Sequence, residues 1–587
     1  MLSVWYTIRE IINSLMEVAM YEKYLVGIPK GTTGITTKKI KGTEYVYYTY
    51  NRGYDSGKHY SVPDSTTIGK CAQDQPGKMY PNTNFFRFFA EAELPEEAEF
   101  IPGRSSCQHI GAFIVIRKII AEYGLDKIAD DIFRKNSGLF LDLAAYSIVT
   151  ENNAAQYYPD YAWNHPVFTE GMKIYSDTKV GTFLSSSTAD ERIEFLNRWV
   201  KGRDHSETIY ISYDSTNKHC QAGDVEIAEM GHEKDKQGKP VFNYAIAYDH
   251  NNEEPLFYED YPGSINDVSQ LQYMLNKAEG YGYKDVGFIL DRGYFSEPNI
   301  RYMDKHGYAF LIMVKGMKKL VRSIVLGVKG SFEYSRKYSI RSYRVSGITV
   351  RHKLFETDAE ERYFHIYYDD GKEAAEREKL ESKIDRMVQF VKEHQGEKLR
   401  PGGDFKKYLD ILYYHEGKED ESLLAARELY SVIDEDIALC GYFTLISSKK
   451  MTAEEALDLY KSRDGSEKLF RGDKSYLGNK SARVYGSEST ETKILVEFVG
   501  LIIRNKIYTK LKEEKRKAKS KDNYMTVPAA IKELEKIELI KSPDGSYRLN
   551  YAVSATQKAI LKAFDLDAAN IKEYAKNIGL QLVTKEA

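Results

Sequence analysis

The spacing of apolar residues predicts helices at the start of the chain and again before its middle. The first 27 residues, MLSVWYTIREIINSLMEVAMYEKYLVG, carry Arg9, Glu10 and Glu17 among apolar residues, which predicts an amphipathic helix and not a signal peptide. Between about Gly111 and Arg203, apolar residues recur at three- and four-residue spacing in GAFIVIRKIIAEYGLDKIADDIF and ADERIEFLNRWVKG. This spacing is typical of a small helical domain.

From Thr208 the period changes to that of strands. TIYISYD, which ends at Asp214, is followed by a predicted hairpin of PVFNYAIAYD and PLFYED and by the predicted helix SINDVSQLQYMLNKAEG. The near-continuous apolar run DVGFILD, which ends at Asp291, is typical of a strand buried on both faces. A helix from about Ser296 and the strand YAFLIMV follow. Three strands, helix, strand, helix, strand is the order of the ribonuclease-H-like fold, a mixed sheet flanked by helices.

Residues 316–439 interrupt this pattern with short polar strands, SFEYSRKYSIRSYRVSG and ERYFHIYYDD, and with a highly charged stretch beginning EAAEREKLESKIDRMVQF. We interpret them as an inserted, β-rich subdomain. A last strand, GYFTLIS, leads into the helix AEEALDLYKSRDGSEKLF and then into the apolar helix TKILVEFVGLIIRNKIYTKL. The predicted fold class is therefore α/β, with a ribonuclease-H-like core, this insertion, a helical N-terminal domain and a helical C-terminal region.

The chain divides on this interpretation into six segments. They are an N-terminal helix and basic strip (1–40), an N-terminal DNA-binding region with a hairpin and then helices (41–205), the first part of the core (206–315), the inserted subdomain (316–439), the second part of the core (440–515) and a C-terminal region (516–587).

Charge limits where a nucleic acid could bind. The 587 residues have a formal net charge of −3, so any DNA binding must come from local basic patches. One candidate is the strip KGTTGITTKKIKGTEYVYYTYNRGY, which fits an ordinary exposed hairpin and a nucleic-acid contact equally well. Another is KEEKRKAKSK, which fits a solvated linker or a phosphate contact.

Cysteine spacing and hydropathy indicate the compartment. Cys71, Cys107, Cys220 and Cys440 lie far apart with no Cys-x-x-Cys pair, which fits reduced thiols and argues against structural zinc. No apolar run approaches the roughly 18 to 20 residues that a membrane span needs. We therefore expect a cytoplasmic protein with no membrane partner.

Three carboxylates stand where strand and helix ends could bring them together. Asp214 and Asp291 each end a predicted strand, and Glu467 lies on the late helix. In a ribonuclease-H-like sheet the first strand and the buried strand end side by side, so the two aspartates can meet. Converging carboxylates bind Mg²⁺ through hard oxygen ligands, and two such ions can stabilise the attacking and leaving oxygens in phosphoryl transfer.

The late helix presents a polar stripe around its carboxylate. Tyr460, Arg463, Glu467 and Lys474 lie within about 60° of one another at about 100° per residue. This face combines a metal-binding carboxylate with a guanidinium and an ammonium group suited to phosphate, and with a phenol. The alternative is an exposed helix carrying a salt bridge, since Arg463 and Glu467 are four residues apart.

The spacing Y-x-x-R-x-x-x-E-x-x-x-x-x-x-K resembles, position for position, the signature of bacterial insertion-sequence transposases of the DDE class that carry a β-rich insertion before their last catalytic residue. KSRDGSEKLFRGDK is similar to that family's arginine-to-lysine block, and FILDRGYFS to its second-aspartate block. GHEKDKQGKPVFNYAIAYDHNNEEPLFYEDYPGSINDVSQL is similar to the segment between the two aspartates. The departure is Gly465-Ser466, where the family more often has apolar residues.

The resemblance, which covers roughly residues 208–511, implies a cut-and-paste DNA transposase that uses two Mg²⁺ or Mn²⁺ ions. The implied catalytic and metal-binding residues are Asp214, Asp291 and Glu467. The predicted DNA-binding residues are Tyr460, Arg463, Lys474 and Arg292, which follows Asp291.

In such a family a metal-activated water cuts one DNA strand, and the freed 3′-hydroxyl then attacks the opposite strand or the target. The expected partners are the double-stranded transposon ends and target, and a second copy of the chain in a synaptic homodimer. The expected location is a prokaryotic cytoplasm, on the nucleoid when bound to DNA. Three alternatives stay open: an inactive or repurposed transposase that binds DNA ends, another ribonuclease-H-like nuclease, and a carbohydrate-active enzyme with paired carboxylates.

Overall fold

The structure is a computed structural model of the 587-residue chain. The residues that it describes are 25–40, 42–55, 57, 59–72, 75–89, 103–203, 209–220, 224–231, 238–265, 267–283, 286–314, 318–463, 465, 468, 469, 472, 477, 481–517 and 525–583. The amphipathic helix predicted at the N-terminus lies mostly outside them. The chain divides into two compact units, the first made of residues 1–118, 157–176 and 514–587 and the second of residues 119–156 and 177–513.

The strands in chain order are β1 (Val26–Gly27), β2 (Ile35–Ile40), β3 (Thr43–Asp55), β4 (Tyr60–Cys71), β5 (Lys78–Pro81), β6 (Cys107–His109), β7 (Ile209–His219), β8 (Val241–Asp249), β9 (Glu254–Pro262), β10 (Val286–Leu290), β11 (Ala309–Met313), β12 (Ser339–Ile340), β13 (Val345–His352), β14 (Arg362–Tyr368), β15 (Leu409–Tyr414), β16 (Ser422–Glu428), β17 (Tyr442–Ser447), β18 (Glu538–Lys541) and β19 (Tyr547–Leu549).

The α-helices are α1 (Thr83–Phe88), α2 (Gly111–Tyr123), α3 (Leu125–Phe133), α4 (Ser137–Thr150), α5 (Tyr158–Asn164), α6 (Asp177–Ser186), α7 (Ala189–Lys201), α8 (Asp267–Gly280), α9 (Glu297–Lys305), α10 (Lys318–Val328), α11 (Asp370–Glu393), α12 (Gly403–Tyr408), α13 (Tyr430–Ile437), α14 (Ala453–Ser462), α15 (Ser487–Lys517), α16 (Val527–Leu534), α17 (Ala555–Lys562) and α18 (Ala568–Val583). Short 3₁₀ helices occupy Arg134–Asn136, Ala155–Tyr157, Glu170–Met172, Arg292–Tyr294 and Arg336–Tyr338.

In the first unit, a five-stranded antiparallel sheet has the order β1-β5-β4-β3-β2. Alternate side chains point to one face, where Val46, Ile68 and Met79 form a buried cluster with Phe85 of α1. The hairpin predicted from the alternating aromatic run is confirmed, since β3 pairs with both β2 and β4. A second sheet of this unit, β19-β18-β6, joins residues 107–109 to the C-terminal region, which also contains α16, α17 and α18.

In the second unit, the predicted helical pattern before residue 203 forms α3, α4, α6 and α7. Thr188 starts α7 through a capping box with Glu191, which satisfies two backbone amides that a helix start would leave unpaired. The rings of Phe133, Phe140 and Phe195 pack against one another between these helices.

The core of the second unit is a nine-stranded mixed sheet with the order β12-β13-β14-β17-β11-β10-β7-β8-β9. Strands β7, β10 and β11 are parallel to one another, whereas β8, β9 and β17 pair antiparallel with their neighbours. Every residue of β10 is buried, as its apolar run predicts. The predicted order of three strands, helix, strand, helix, strand is confirmed as β7, β8, β9, α8, β10, α9 and β11.

The predicted end of the first strand at Asp214 is wrong, because β7 continues to His219. Beyond Asp214 the strand stays paired with β8, although its residues are polar. These polar side chains have buried partners: Asn217 bonds to Asn243 at 2.6 Å, and Lys218 pairs with a carboxylate of α15 at 2.8 Å. A polar sequence therefore continues as a buried strand because the fold supplies its hydrogen bonds.

Residues 316–439 extend the sheet as well as interrupting the chain. Strands β13 and β14 pair with each other, and β14 pairs with β17 of the core. The charged stretch forms the 24-residue helix α11, and β15 and β16 form a separate two-stranded sheet. Within the described residues, the helices offer no apolar stretch long enough to cross a membrane.

Candidate active site

Asp214 and Asp291 lie beside each other at one end of the parallel pair β7 and β10. The in-register pairing ends with Tyr213 of β7 opposite Leu290 of β10. The residue that follows each of them is an aspartate, Asp214 after Tyr213 and Asp291 after Leu290. Neighbouring strands are about 4.8 Å apart, and residues in register on parallel strands project to the same face. Both carboxyl groups therefore leave the sheet on one side, and both residues are partly exposed.

Backbone amides orient the two carboxylates. Oδ1 of Asp214 accepts a hydrogen bond from the amide of Ser215 at 2.9 Å. Oδ1 of Asp291 accepts one from the amide of Arg292 at 2.7 Å, which caps the 3₁₀ helix that follows. The side chain of Asp291 is still 39% exposed, so these bonds hold the carboxylate without sealing it from a ligand.

Helix α14 packs on the same face of the sheet. Thr452 and Glu455 form a capping box at its start. Its apolar residues join a buried cluster with β10, β11, β14 and β17, whose members include Ile289, Leu311, Tyr367, Leu445, Ala456, Leu457 and Tyr460. Because Ile289 lies two residues before Asp291 and side chains alternate along a strand, α14 lies on the face of the aspartates.

The end of α14 brings a cation to this pair. The helix ends at Ser462, and Arg463 follows as its C-cap residue. Nη1 of Arg463 lies 3.4 Å from Oδ1 of Asp291, and the Arg463 side chain is only 12% exposed. The same guanidinium lies 5.3 Å from the centroid of the Tyr460 ring, within the range of a cation–π interaction. Arg463 is thus held between a carboxylate and an aromatic ring.

The chain after Arg463 passes close to its neighbours at two glycines. A Cβ atom on Gly465 would lie 3.1 Å from Cε1 of Tyr248, and a Cβ atom on Gly472 would lie 2.5 Å from Nη1 of Arg504. Leu469, between them, is buried. A Cβ atom at 465 would press against the Tyr248 ring, which gives the glycine at this position a steric reason.

His250, directly after β8, lies against the end of α14. Burial and the charge of Arg463 lower the pKa of His250 to about 4, and the backbone of Ser462 opposes this shift. The imidazole is therefore neutral near pH 7. His250 and Tyr248 were not predicted from the sequence, because neither belongs to a spaced motif. The available signal is that they lie just after and near the end of β8, the strand that pairs with β7 of Asp214.

The structure describes five of the seven residues predicted for the site. Those that it brings together are Asp214, Asp291 and Arg463. Tyr460 lies one turn before Arg463, but its ring packs in the core and is 8% exposed. Arg292 adjoins Asp291 and is exposed. The two predicted residues outside the described part of the chain are Glu467 and Lys474.

Two adjacent aspartates offer the hard oxygen ligands that Mg²⁺ and Mn²⁺ prefer. Within the described ranges, no group of three or more His, Cys, Asp or Glu side chains is placed to hold a metal ion. The pair therefore fits part of a divalent-metal site and needs at least one further ligand, for which Glu467 is the predicted residue.

Residues 209–503, about half of the chain, match the family described as "Transposase DDE domain". Among curated proteins no sequence match is found. Among solved structures, the chain is similar to one described as "Cryo-EM structure of piggyBac transposase synaptic complex with hairpin DNA (SNHP)", with 8% identity, coverage of 80% of this chain and 82% of that chain, and a TM-score of 0.32. A TM-score of this size does not by itself establish a shared fold.

Proposed function

Because the chain belongs to the DDE transposase family, we propose that it is a cut-and-paste enzyme of the insertion-sequence type whose catalytic carboxylates are Asp214, Asp291 and Glu467. As a DNA transposase it catalyses phosphoryl transfer on DNA. The observation that carries the residue assignment is the register of β7 and β10, which sets Asp214 beside Asp291 with Arg463 at 3.4 Å.

We further propose that residues 206–315 and 440–515 form a ribonuclease-H-like core, interrupted by the subdomain 316–439. The order β9-β8-β7-β10-β11 supports this, with β7, β10 and β11 parallel and β8 antiparallel to β7. The packing of α14 on the aspartate face supports it as well, because the proposed third carboxylate follows this helix. The other segment boundaries predicted from the sequence stay predictions.

The three carboxylates would hold two Mg²⁺ or Mn²⁺ ions, which when bound would activate the attacking water and stabilise the leaving oxygen. The protein itself supplies the negatively charged ligands and a cation that offsets part of their charge. Asp214 and Asp291 bring two carboxylates onto adjacent strands, and the largely buried Arg463 compensates part of that charge. A guanidinium at this place is also suited, by its planar fork, to a DNA phosphate.

The other predicted DNA-binding residues differ in their exposure to solvent. Arg292 is exposed beside Asp291, where it could meet a phosphate directly. Tyr460 is buried, so in this proposal its ring supports Arg463 and its phenol reaches DNA only if the helix end moves. Lys474 is proposed as a phosphate contact from the spacing of the motif alone.

A cleavage assay on the element's own ends in Mg²⁺ tests the assignment. Asp214→Asn, Asp291→Asn and Glu467→Gln should each abolish strand cleavage, because each removes an anionic ligand, while end binding stays within about threefold. Asp410→Asn is the matched control, since this aspartate lies on β15 in a two-stranded sheet and pairs with Arg427. Normal cleavage by one of the three variants would remove that residue from the triad. Binding without cleavage by the wild type would favour the end-binding alternative.

We propose the five-stranded sheet of the first unit as a DNA-binding surface. Residues 25–89 contain nine Lys or Arg and four Asp or Glu, a net charge of +5 in a chain of −3. Lys38 and Lys39 are exposed on the edge strand β2. The β3–β4 ribbon extends beyond β2 and exposes Tyr54 (70%) and Tyr60 (57%). A two-stranded ribbon fits the major groove of B-DNA, and lysines beside it can reach phosphates.

Salt dependence tests this surface. A double variant, Lys38→Ala with Lys39→Ala, should weaken DNA binding and reduce the slope of log K against log salt by about 0.9 for each phosphate that the variant no longer neutralises. Lys418→Ala, an exposed lysine after β15, is the control and should leave the slope unchanged. An unchanged slope in the double variant would exclude these lysines as phosphate-binding residues.

The assembly and location are proposals that follow from the reaction. Two transposon ends need two active sites, so we propose a homodimer in the synaptic complex, which sedimentation with and without paired-end DNA would test. We also propose a prokaryotic cytoplasmic location on nucleoid DNA. The four free cysteines suit a reducing compartment, and the position of a fluorescent fusion in cells would check the proposal.

A further inference from the structure

The first part of the inserted subdomain is strongly basic. Residues 316–355 contain ten Lys or Arg and a single acidic residue, Glu333, which gives a net charge of +9 in a chain of −3. The rest of the subdomain, residues 356–439, contains 13 Lys or Arg and 23 Asp or Glu, a net charge of −10. The positive charge of the subdomain is therefore concentrated in one short part of the chain.

Some of these cations have acidic partners, and others do not. Arg322 pairs with Glu435 and Asp436, and Arg351 pairs with Glu361 at 3.4 Å. Around β12 the cations are exposed and form no ion pair within the part of the chain that the structure describes. We call these four residues the basic edge: Arg336, Lys337, Arg341 and Arg344. Their positive charge is available to a partner outside the subdomain.

The basic edge lies at the end of the nine-stranded sheet that carries the aspartates. Strand β11 is parallel to β10, and the four pairings that lead from β11 through β17, β14 and β13 to β12 are all antiparallel. Four reversals restore the direction of β10. The turn after β12, residues 341–344, therefore emerges at the same end of the sheet as Asp291, the residue after β10.

The register also gives the separation between the turn and the aspartates. Followed across the sheet, Asp291 is level with Thr349 of β13, and the turn precedes Val345, four residues farther toward that end. Five strand spacings of about 4.8 Å and four residues of about 3.3 Å place the turn about 27 Å from Asp291. Base pairs of B-DNA are about 3.4 Å apart, so a duplex leaving the aspartates toward β12 would pass the turn after about eight base pairs.

The turn holds its arginines outside the core. Tyr343 packs against the buried cluster under α14, whereas Arg341 and Arg344 are exposed. Arg344 has a φ of 58°, in the left-handed region that glycine adopts at lower cost. An arginine at a position suited to glycine indicates a use for its side chain, because its backbone alone would favour another residue.

The chemistry of the basic edge fits phosphates and not bases. Strand β12 has only two residues, and β13 is already paired with β14 on its other side, so no free ribbon is present to enter a groove. Arginine and lysine contacts to phosphates do not depend on base sequence. The DNA that flanks an inserted element differs from site to site, whereas the element's ends are constant. Contacts to phosphates alone therefore suit the flanking DNA.

We propose that the basic edge binds the duplex DNA that flanks the element, about eight base pairs outside the cleaved bond. The inference rests on the proposed function, because it takes the duplex to extend from a cleavage site at Asp214 and Asp291. It gives the second unit a DNA-binding surface of its own, separate from the five-stranded sheet of the first unit.

End duplexes with flanks of different length test this surface in binding assays without added metal, so that no strand is cut. A 12-base-pair flank should tighten binding about tenfold relative to a pre-cut end, whereas a 4-base-pair flank is too short to reach the turn and should add little. In the double variant Arg341→Ala with Arg344→Gly the gain should fall below about twofold. For the long flank, the slope of log K against log salt should fall by about 1.8, which corresponds to two phosphate contacts.

The matched control is Arg134→Gly. Arg134 is also an exposed arginine with a positive φ, 48°, but it follows α3 in the helical region. This variant should keep the whole gain from the flank. Glycine at 344 suits the backbone there, so misfolding would not explain a loss in the first double variant. A second one, Arg336→Gln with Lys337→Gln, leaves the turn intact and should lose the gain as well.

The possible results separate flanking DNA from other DNA. An equal loss of affinity for the pre-cut end would assign the basic edge to the element's own DNA, and a loss confined to strand transfer would assign it to the target. Either result would overturn the inference, as would an undiminished gain in both double variants.

The assay also distinguishes this inference from the proposed function. A wild-type protein that shows the gain from the flank but does not cleave its ends in Mg²⁺ would refute the proposed function and support this surface. A wild-type protein that cleaves its ends but gains no affinity from the long flank would do the reverse.

Discussion

Replacing Glu497 with glutamine should destabilise the fold by about 3–5 kcal/mol, because it removes the charge of a buried carboxylate that pairs with Lys218 and offsets the charge of the nearby buried Lys493. Oε2 of Glu497 pairs with Nζ of Lys218 at 2.8 Å, and the two side chains are 4% and 0% exposed. Oε1 accepts a hydrogen bond from Asn153. Lys493, one turn earlier on α15, is also buried and donates to the carbonyl of Ala482.

Removing the anion of the cluster formed by Glu497, Lys218 and Lys493 is not equivalent to removing one of its cations. Lys218→Met would leave Glu497 with Lys493, a balanced pair of charges, whereas Glu497→Gln would leave two buried cations with no anion. We therefore expect Glu497→Gln to cost more stability than Lys218→Met, although both remove the same 2.8 Å ion pair. Glutamine keeps the size of the side chain and the acceptor for Asn153, so cavity formation does not explain the loss.

The pH dependence separates charge from packing. Burial lowers the pKa of Lys493 to about 8, while the charge of Glu497 opposes this shift. In Glu497→Gln the pKa of Lys493 should fall further. A lysine whose folded pKa lies below its unfolded value binds fewer protons when folded, so its destabilising effect fades as pH rises from about 8 towards about 10.4. The part of the deficit that comes from Lys493 should therefore narrow as pH rises towards about 8, where Lys493 is neutral in both folded proteins, and stay constant above it.

Urea unfolding followed by tryptophan fluorescence measures the effect, because Trp199 is buried in the same unit. Glu253→Gln is the matched control: Glu253 pairs with Lys512 of the same helix at 2.9 Å, but the side chains are 49% and 54% exposed. Such a pair contributes about 0–1 kcal/mol. A loss below about 1 kcal/mol for Glu497→Gln, or a larger loss for Lys218→Met, would refute the reasoning.

Three further predictions concern two residues of the sheet and one of a helix. His365 is fully buried between Thr349 and Ser447, and burial lowers its pKa to about 4. The stability that the neutral imidazole contributes is lost as pH falls from about 6.5 towards 4. The free energy of unfolding should therefore decrease by about 2 kcal/mol between pH 7 and pH 5. His365→Gln should remove that part of the pH dependence in urea titrations at the two pH values, and an unchanged slope would contradict it. Gly287→Ala should destabilise by about 1–3 kcal/mol, because a Cβ atom would lie 2.3 Å from Cε1 of Tyr210. Gly327→Ala, at an open position of α10, should stabilise the fold by about 0.5–1 kcal/mol. Thermal unfolding measures both alanine variants, and a Gly327→Ala variant that is less stable than Gly287→Ala would contradict this reasoning.

The sequence by itself determined the elements whose patterns are periodic. The apolar run before Asp291 predicted a strand buried on both faces, and every residue of β10 is buried. Apolar residues at three- and four-residue spacing predicted α7, and a long apolar run predicted α15. The helix predicted from Ala453 through Glu467 instead ends at Ser462, but Arg463 of the spaced motif reaches Asp291 from the C-cap position. Such patterns are local because a helix or strand repeats its own buried positions.

Only the tertiary structure decided where polar residues could be buried. The sequence DSTNKH ended the predicted strand at Asp214, yet β7 continues because Lys218 meets Glu497, 279 residues further along the chain. Gly465 departs from the motif because the ring of Tyr248 occupies the space of a side chain. His250 carries no pattern of its own, yet folding buries it beside Arg463, 213 residues further along the chain, which lowers its pKa. A local sequence pattern does not include these partner residues, because they come into contact only when distant segments of the chain pack together.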